Sequence, residues 1–446
     1  MDYKKIANKI LILSKKAGAD KAEVFIQKTK QTSMSVSELK LEYSNQANTI
    51  GYGLTFINKG KKVFVDSSDF SISSIRDVIN RAKHLSKYVE EDPYNDIAKR
   101  KGRLNDYALF DPLLVKIPLE KKIYYLKQIE KNALKYDKRI KKASWIGYHE
   151  NIEDRVIANT NGVFGYYKTS NIQLWANVLA ESNGEKQEGE YGQKTHFFKK
   201  LTDPLDVANK ASSMALILIG GTRVPSTNVP VVFDPYASWS LLRFGIFEAV
   251  IGLNILQKSS FLAGRLGDKI ASELVTIIDD GTMPGGVATA PFDDEGVKTQ
   301  KNIIVDKGVL KMFLYNIYSA NKAKTQPTGN ASRDSYKEMP RLKSRNLYLA
   351  KGSSTPEQII SKVKNGFWVK NTIGFGVDSV TGSYSIGAAG RWIKNGKLGK
   401  PVSGVTIASS LDDLLMGIDA VGNDLEFRFE TAAPTFRVSN MTVSGT

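Results

Sequence analysis

The chain of 446 residues contains no cysteine and only three histidines. The lack of cysteine excludes disulfides, thiolate nucleophiles and thiolate metal sites. The histidines, His84, His149 and His196, lie tens of residues apart, so none has the short spacing typical of two metal ligands on one helix. We therefore expect each histidine to be structural or exposed, and we expect no metal ion in this chain.

Long apolar runs are also absent. A helix that crosses a bilayer needs about 20 consecutive apolar residues, whereas the most apolar stretches, around 215–219 and 246–256, are short or interrupted. The first sixteen residues carry lysines on both sides of a brief apolar stretch and have no small-residue cleavage site, which is typical of an amphipathic helix. We expect a cytoplasmic protein that does not contact membranes.

Positive charge is in excess, with 63 Lys and Arg against 46 Asp and Glu, a formal net charge of +17. Such a balance is compatible with nucleic-acid binding. However, basic clusters such as residues 138–142 have acidic neighbours and lack the aromatic pattern that single-strand binders use for stacking. A solvated basic surface is the favoured interpretation, and nucleic-acid binding stays as an alternative.

The residue patterns predict an α+β fold in three domains, at 1–110, 111–224 and 225–446. In the first, helices near 3–16 and 74–87 enclose strands. The second repeats this order weakly, with a helix at 119–136, strands that lead into a glycine-and-charge loop at 182–193, and a helix at 206–218. Both read as α/β units with helices packed on antiparallel sheets.

Beyond a break near residue 225 the chain becomes rich in strands and glycine, which predicts a carboxy-terminal domain of mixed or antiparallel sheet. Helices are expected there at 236–256 and 355–364. The glycine-rich stretch at 374–390 does not predict a dinucleotide site, because Ser379 stands where the third glycine of that fingerprint is required.

Six segments, in the same order along the chain, resemble the carboxy-terminal half of the PmbA/TldD family of metallopeptidases, once called modulators of DNA gyrase. The segments are FEAVIG (247–252), 259–282, 291–316, PTGNASR (327–333), 387–408 and VGNDLEF (421–427). They cover about half of the chain, and the amino-terminal half resembles the family only in overall layout.

The resemblance implies a specific role. In this family the TldD-type subunit is the catalyst, with a His-Glu-three-residues-His pattern on a helix. The two histidines of that pattern and a cysteine near the carboxy terminus are the metal ligands. The matching positions here are Phe247, Glu248 and Gly252, so both histidines are missing. The resemblance implies a PmbA/TldE-type, non-catalytic subunit without a cofactor of its own. It pairs with a zinc-bearing TldD-type subunit as a heterodimer, or with itself when that subunit is absent, and acts on unfolded peptides.

Metal chemistry explains why the missing histidines matter. Zinc lowers the pKa of its bound water from roughly 15.7 to about 7, and a lone carboxylate at Glu248 cannot replace that effect. One alternative is a stand-alone peptidase with a rewired site built from Glu248 and nearby acidic residues. Those residues are Asp279, Asp280, Asp293, Asp294 and Glu295, which stand beside Gly281 and Gly296 and more often form turns.

A further alternative is a nucleic-acid-binding or gyrase-associated protein, motivated by the net charge.

For the family's peptide cleft, the matched motifs supply five candidate residues, for which turn structure is the competing interpretation. They are Gly281, Thr282, Gly329, Asn330 and Arg333. A glycine-containing, strand-rich cleft can hold an extended peptide by adding it to the edge of a sheet.

Overall fold

The computed structural model describes residues 1–99, 105–374 and 376–445. Its first half contains two units with the same order of elements, a helix, three strands and a second helix, so the expected recurrence is confirmed. The first unit comprises α1 (Tyr3–Lys16), β1 (Lys21–Ser37), β2 (Lys40–Asn58), β3 (Lys61–Ser67) and α2 (Ile72–Leu85). The second comprises α3 (Leu119–Tyr136), β4 (Ile140–Asn159), β5 (Phe164–Ser182), β6 (Glu185–Thr195) and α4 (Pro204–Ile217).

Local sequence accounts for several boundaries of these elements. The Asp2 side chain accepts a hydrogen bond from the backbone N–H of Lys5 and caps α1. Lys59 and Gly60 both have positive φ, 50° and 72°, as the two-residue turn between β2 and β3 requires. One prediction is wrong, because the stretch at 182–193 is mostly strand β6 instead of a loop.

The six strands form one antiparallel sheet in the order β3-β2-β1-β4-β5-β6. The central pair β1–β4 joins the two units, with Val24 opposite Ala158 and Met34 opposite Tyr148. Side chains alternate between the faces of a strand, so Val24 and Met34 share one face. The apolar residues of α1 and α2 pack around Val24 and Ala158 at one end of that face, and those of α3 and α4 around Met34 and Tyr148 at the other end.

The opposite face of the sheet differs between these two ends. Where α1 and α2 cover the first face, Phe25 of β1 and Ile157 of β4 pack against Phe292 and Tyr336 of the carboxy-terminal half. Where α3 and α4 cover it, the opposite face carries Trp145, which is 43% exposed. The carboxy-terminal half therefore covers one half of the sheet face and leaves part of the other exposed.

The carboxy-terminal half is rich in strands, as expected. One sheet has the order β14-β7-β20-β17-β16-β15, and β14 also pairs with β16, so the strands from β14 to β16 close into a ring. A second, mixed sheet has the order β10-β9-β8-β13-β19. Apolar residues of both sheets form one large core. In the described part of the chain, no helix has the length and apolar character needed to cross a membrane.

The strands of this half are β7 (Thr227–Phe233), β8 (Ile277–Asp280), β9 (Lys301–Asp306), β10 (Val309–Leu310), β11 (Ala331–Ser332), β12 (Arg341–Leu342), β13 (Asn346–Leu349), β14 (Asn365–Ile373), β15 (Val377–Asp378), β16 (Ser383–Lys394), β17 (Lys397–Ser410), β18 (Ile418–Val421), β19 (Thr431–Ala432) and β20 (Phe436–Ser444). The short helices are α5 (Gly252–Leu256), α6 (Ile317–Lys322), α7 (Pro356–Ser361) and α8 (Leu411–Met416). Phe375, in the glycine-rich stretch, lies outside the described residues.

Candidate peptide cleft and the Glu248 position

The segment that carries the three family positions is not a single helix. A π-helix spans Leu241–Phe247, and α5 begins only at Gly252. Between them the chain turns, because the N–H of Leu314 donates to the carbonyl of Val250 and the N–H of Gly252 donates to the carbonyl of Leu314. The prediction of one helix over 236–256 is therefore wrong, and the third family position lies at the start of a new helix.

Neither position that would carry a histidine has room or access for one. Phe247 is fully buried in the core of the carboxy-terminal half. At Gly252, an added Cβ would lie 2.1 Å from Cδ1 of Tyr315 and 2.9 Å from the carbonyl oxygen of Leu314. The Tyr315 ring therefore occupies the space that a side chain at residue 252 would need.

Glu248, the remaining family position, is partly exposed and paired with a cation. Nη1 of Arg243 lies 2.5 Å from its Oε1, and the guanidinium of Arg243 also lies 5.1 Å from the centre of the Phe247 ring. A small cavity of about 250 Å³ borders Glu248 and Gly374. In this arrangement the carboxylate is paired with an arginine, and Asp378 and Ser379 border the same cavity.

These residues do not fit a zinc ion. Within residues 1–99, 105–374 and 376–445, no three His, Asp or Glu side chains gather as metal ligands. The histidines are structural or surface residues, as expected: Nδ1 of His149 lies 2.8 Å from Oγ of Ser33, and His196 is buried with its Nε2 3.2 Å from the carbonyl oxygen of Gly286. His84 stacks edge-on with Tyr88.

The structure places the five cleft candidates mostly below the surface. Gly281, Gly329, Asn330 and Arg333 are buried, and only Thr282 is partly exposed. Gly329 has a φ of 75°, and a Cβ there would lie 2.7 Å from the carbonyl oxygen of Lys298. Nδ2 of Asn330 donates to Oδ2 of Asp279 over 2.6 Å. These contacts are those of turn and packing residues, and none of the five borders the cavities described below.

Arg333 joins the two halves of the molecule. Only 2% exposed, it pairs with Glu23 of β1 over 3.0 Å, and its guanidinium lies 5.1 Å from the centre of the Phe25 ring. Its backbone N–H donates to Asp294, which also pairs with Arg155 of β4 over 2.7 Å. The buried charges therefore hold the carboxy-terminal half against the sheet.

Two acidic residues of the rewired-site alternative cap turns. Oδ1 of Asp293 accepts hydrogen bonds from the backbone N–H groups of Glu295 and Val297, and its Oδ2 accepts one from Ala331. Asp280, the last residue of β8, similarly accepts from the N–H and hydroxyl of Thr282. The turn interpretation is thus confirmed for Asp280 and Asp293. Asp279 instead lies within β8 and accepts from Asn330 and from the N–H of Arg345.

Burial shifts the ionisation of this network. Burial raises the pKa of Glu23 to about 7, an effect that Arg333 opposes and Glu295 reinforces. Burial likewise raises the pKa of Asp279 to about 6, against the hydrogen bond from Asn330. The pKa of Asp293 is raised by burial and by the neighbouring charge of Glu295. These shifts predict that the stability of the contact between the halves depends on pH.

Two larger cavities flank the sheet. One, of about 1150 Å³, lies between the first unit and the carboxy-terminal half and is bordered by Lys4, Asn159, Phe292 and Lys298. The other, of about 970 Å³, lies between β6, α4 and the carboxy-terminal half. It shares Ser240, Phe244 and Gly374 with the small cavity at Glu248, so the two cavities adjoin.

We name this second cavity the acidic cleft, because six of its bordering residues are carboxylates and three are cations. The carboxylates are Glu188, Glu190, Asp234, Asp424, Glu426 and Glu430, and the cations are Lys210, Lys370 and Arg428. Sequence reasoning missed Glu188 and Glu190 because 182–193 was interpreted as a loop. Charged residues at 186, 188 and 190 alternate with buried Gly189 and Tyr191, and that period of two is the signal of a strand.

Family models describe most of the chain. The models for PmbA/TldA metallopeptidase domain 1, the central domain and the C-terminal domain match residues 22–86, 112–219 and 226–445. The chain belongs to the PmbA/TldD metallopeptidase family. The resemblance stated from the carboxy-terminal motifs is therefore confirmed, and it extends to the amino-terminal half.

Individual relatives agree with this assignment. The chain is 29% identical to Metalloprotease PmbA of Escherichia coli O157:H7 over 433 residues, 96% of this chain and 93% of that one. A solved Bacteroides thetaiotaomicron protein, described as a candidate modulator of DNA gyrase, superposes with a TM-score of 0.91 at 25% identity and full coverage of both chains. TldE of Thermococcus kodakarensis has the same fold, with a TM-score of 0.90 at 19% identity, over 99% of this chain and 100% of that one.

Proposed function

We propose that this chain is a non-catalytic subunit of the PmbA/TldE type. It works with a zinc-bearing TldD-type partner as a cytoplasmic metallopeptidase that acts on unfolded peptides. One observation carries the proposal: the family's ligand positions are a buried ring at Phe247 and a glycine at residue 252 whose side-chain space is filled by Tyr315. Two imidazoles cannot converge there, so this chain has no means of activating a water through zinc.

The chain's own contribution is then to hold the substrate. The acidic cleft adjoins Glu248 and is bordered by strand β6 and the end of β14. Strand edges bind extended peptides through main-chain hydrogen bonds, which do not depend on the peptide's sequence. This mode suits an enzyme whose substrates are unfolded.

The proposal is tested with the purified chain, the purified TldD-type partner and their mixture. We expect no stoichiometric zinc in this chain by elemental analysis, no cleavage of an unfolded protein by this chain alone, and cleavage by the mixture that exceeds the partner's own. Tightly bound zinc in this chain, or cleavage without the partner, would overturn the proposal.

A substitution separates this proposal from a rewired peptidase. Glu248→Gln removes the one family carboxylate while keeping its size, and Glu273→Gln is a control at a highly exposed ion pair. If Glu248 is not a catalytic base, cleavage by the mixture stays within roughly twofold for both variants. A loss of several orders of magnitude confined to Glu248→Gln would support the rewired site instead.

A further inference from the structure

The acidic cleft is bordered by two strand edges. β6 pairs only with β5 among the described residues, and β14 pairs with β7 only as far as Val369 opposite Phe233. Beyond that point the residues from Lys370 to Gly374 border the cleft, as do those from Glu188 to Tyr191 on β6. The cleft therefore lies between two stretches of extended backbone.

The backbone of β6 has hydrogen-bonding groups that face away from β5. The N–H of Lys194 points outward, since it donates to the carbonyl of Arg428 over 2.7 Å. The pairing of β5 with β6 has no irregularity from Lys194 to Glu188, and backbone groups alternate in direction along an antiparallel strand. The N–H and C=O groups of Glu190 and Glu188 therefore also point outward, where an added strand could bind them.

A buried hydroxyl provides a second, independent sign of a ligand. Thr431 borders the cleft and is only 7% exposed, and its Oγ1 has no hydrogen-bond partner in the described part of the chain. A buried polar group without a partner is costly, and a peptide in the cleft can satisfy it. Nearby, Trp239 is 44% exposed and borders the same cleft, where it offers an apolar surface.

The charges of the cleft oppose those of the whole protein. The chain has a net charge of +17, whereas carboxylates outnumber cations two to one around the cleft. Two of the cations are already paired, Lys370 with Asp234 over 2.9 Å and Lys210 with Glu426 over 3.9 Å.

The third cation, Arg428, lies over the ring of Tyr236, 5.0 Å from its centre. On β6, Glu188 and Glu190 are exposed. The pKa of Glu190 is raised by partial burial, an effect that Arg428 opposes and Glu188 reinforces. An added positive charge would stabilise this pair of glutamates.

We propose that the acidic cleft binds an extended peptide segment rich in lysine or arginine. The main chain of the segment pairs with the outer edge of β6, and its basic side chains face Glu188 and Glu190. This inference rests on the proposed function and names the class of peptide that the subunit selects. A polyanion is disfavoured, because it would bring like charges against the carboxylates.

The test is direct binding to the purified chain without its partner. Fluorescence anisotropy is measured with a short labelled peptide of alternating lysine and threonine, and with the matching peptide of glutamate and threonine. We expect the basic peptide to bind at least about tenfold more tightly and its affinity to fall with salt. Equal affinity for the two peptides would overturn the proposal.

Variants separate the roles of charge and backbone. The double variant Glu188→Gln and Glu190→Gln should weaken binding of the basic peptide roughly three- to tenfold, whereas a control double variant at the exposed Glu90 and Glu91 should not. Glu190→Pro removes an outward N–H that β5 does not use, so it should weaken binding of both peptides. Thermal unfolding of the Glu190→Pro variant shows whether strand β6 is still folded.

Thr431→Val removes the buried hydroxyl at nearly constant shape. We expect weaker peptide binding with unchanged or higher thermal stability, because an unpaired polar atom is lost. Unchanged binding in Thr431→Val and in the glutamine double variant would overturn the proposed site. No partner or zinc takes part in these measurements. Their failure would therefore remove the cleft as the peptide site but leave intact the proposal that this chain is the non-catalytic, partner-dependent subunit. Zinc in this chain would overturn that proposal without affecting the binding measurements.

Discussion

The two ends of the amino-terminal sheet lie under different helices and meet different surroundings. At the end under α1 and α2, the opposite face is covered by Phe292 and Tyr336 from the carboxy-terminal half. At the end under α3 and α4, that face carries the exposed Trp145, and the edge strand β6 borders the acidic cleft. One end anchors the carboxy-terminal half, and the other supplies a binding surface.

Glycines on the sheet differ in the same way. A Cβ at Gly51 of β2 would lie 2.2 Å from the Tyr336 ring, and one at Gly165 of β5 would lie 2.5 Å from the Phe292 ring. Both rings come from the carboxy-terminal half. At the other end of the sheet, a Cβ at Gly147 would lie 2.5 Å from Trp145, which is on the same strand. Gly51 and Gly165 therefore leave space for side chains of the carboxy-terminal half, whereas Gly147 leaves space for a ring of its own strand.

Removing the buried ion pair of Arg333 and Glu23, which we call the anchor, should have the largest effect on the free energy of unfolding. Arg333→Met leaves Glu23 without its buried cation, and the loss of one partner of a buried pair costs about 3–5 kcal/mol. Arg341→Met removes an exposed arginine that pairs with Asp334 and should cost at most about 1 kcal/mol. Urea unfolding of the two variants measures both values. Equal destabilisation by the two substitutions would show that the buried ion pair does not stabilise the contact between the halves more than an exposed pair does.

The anchor should also respond to pH. The pKa of Glu23 is raised from 4.5 to about 7, so the folded protein holds this proton more tightly than the unfolded chain. This contribution to stability is full below pH 4.5 and is lost as pH rises to 7, by up to about 3 kcal/mol. Glu23→Gln should flatten the dependence of unfolding free energy on pH in that window. If the slope of unfolding free energy against pH is unchanged in Glu23→Gln, other groups, such as Asp279, are responsible for the pH dependence.

The smallest effect on stability is expected for alanine substitutions at two glycines of the sheet. Gly51→Ala forces a methyl group against the buried Tyr336 ring and should cost about 1–3 kcal/mol. Gly147→Ala meets the Trp145 ring, which is 43% exposed and can rotate away, so it should cost less than about 1 kcal/mol. Thermal unfolding checks the order. A greater loss for Gly147→Ala would contradict the contrast between the two ends of the sheet.

The sequence predicted those features that depend on local patterns. The apolar spacing of α1, the turn at Lys59 and Gly60, and the repeated order of elements all follow from short-range chemistry. The family was recognised from motifs in the carboxy-terminal half, and the missing ligands at Phe247 and Gly252 stay a prediction from that resemblance. The turns at Asp280 and Asp293 were likewise the favoured interpretation of consecutive carboxylates beside glycine.

Features that depend on distant contacts were missed. The helix around Phe247 ends early because Leu314, far along the chain, pairs with its backbone. Arg333 was expected near a cleft but is buried against Phe25. Its ion pair with Glu23 joins residues that are 310 positions apart in the sequence. The acidic cleft was missed because charged β6 resembles a loop until the alternation of its buried residues is considered.

The pairing of β1 with β4 has a consequence for how the protein is made. When the first unit leaves the ribosome, β1 can pair with β2 but has an unpaired edge until β4, more than a hundred residues later, has been synthesised. Unpaired edges promote association between chains, and long-range pairing slows folding. The nascent chain is therefore vulnerable to aggregation over this interval, and assistance by a chaperone would be most valuable there.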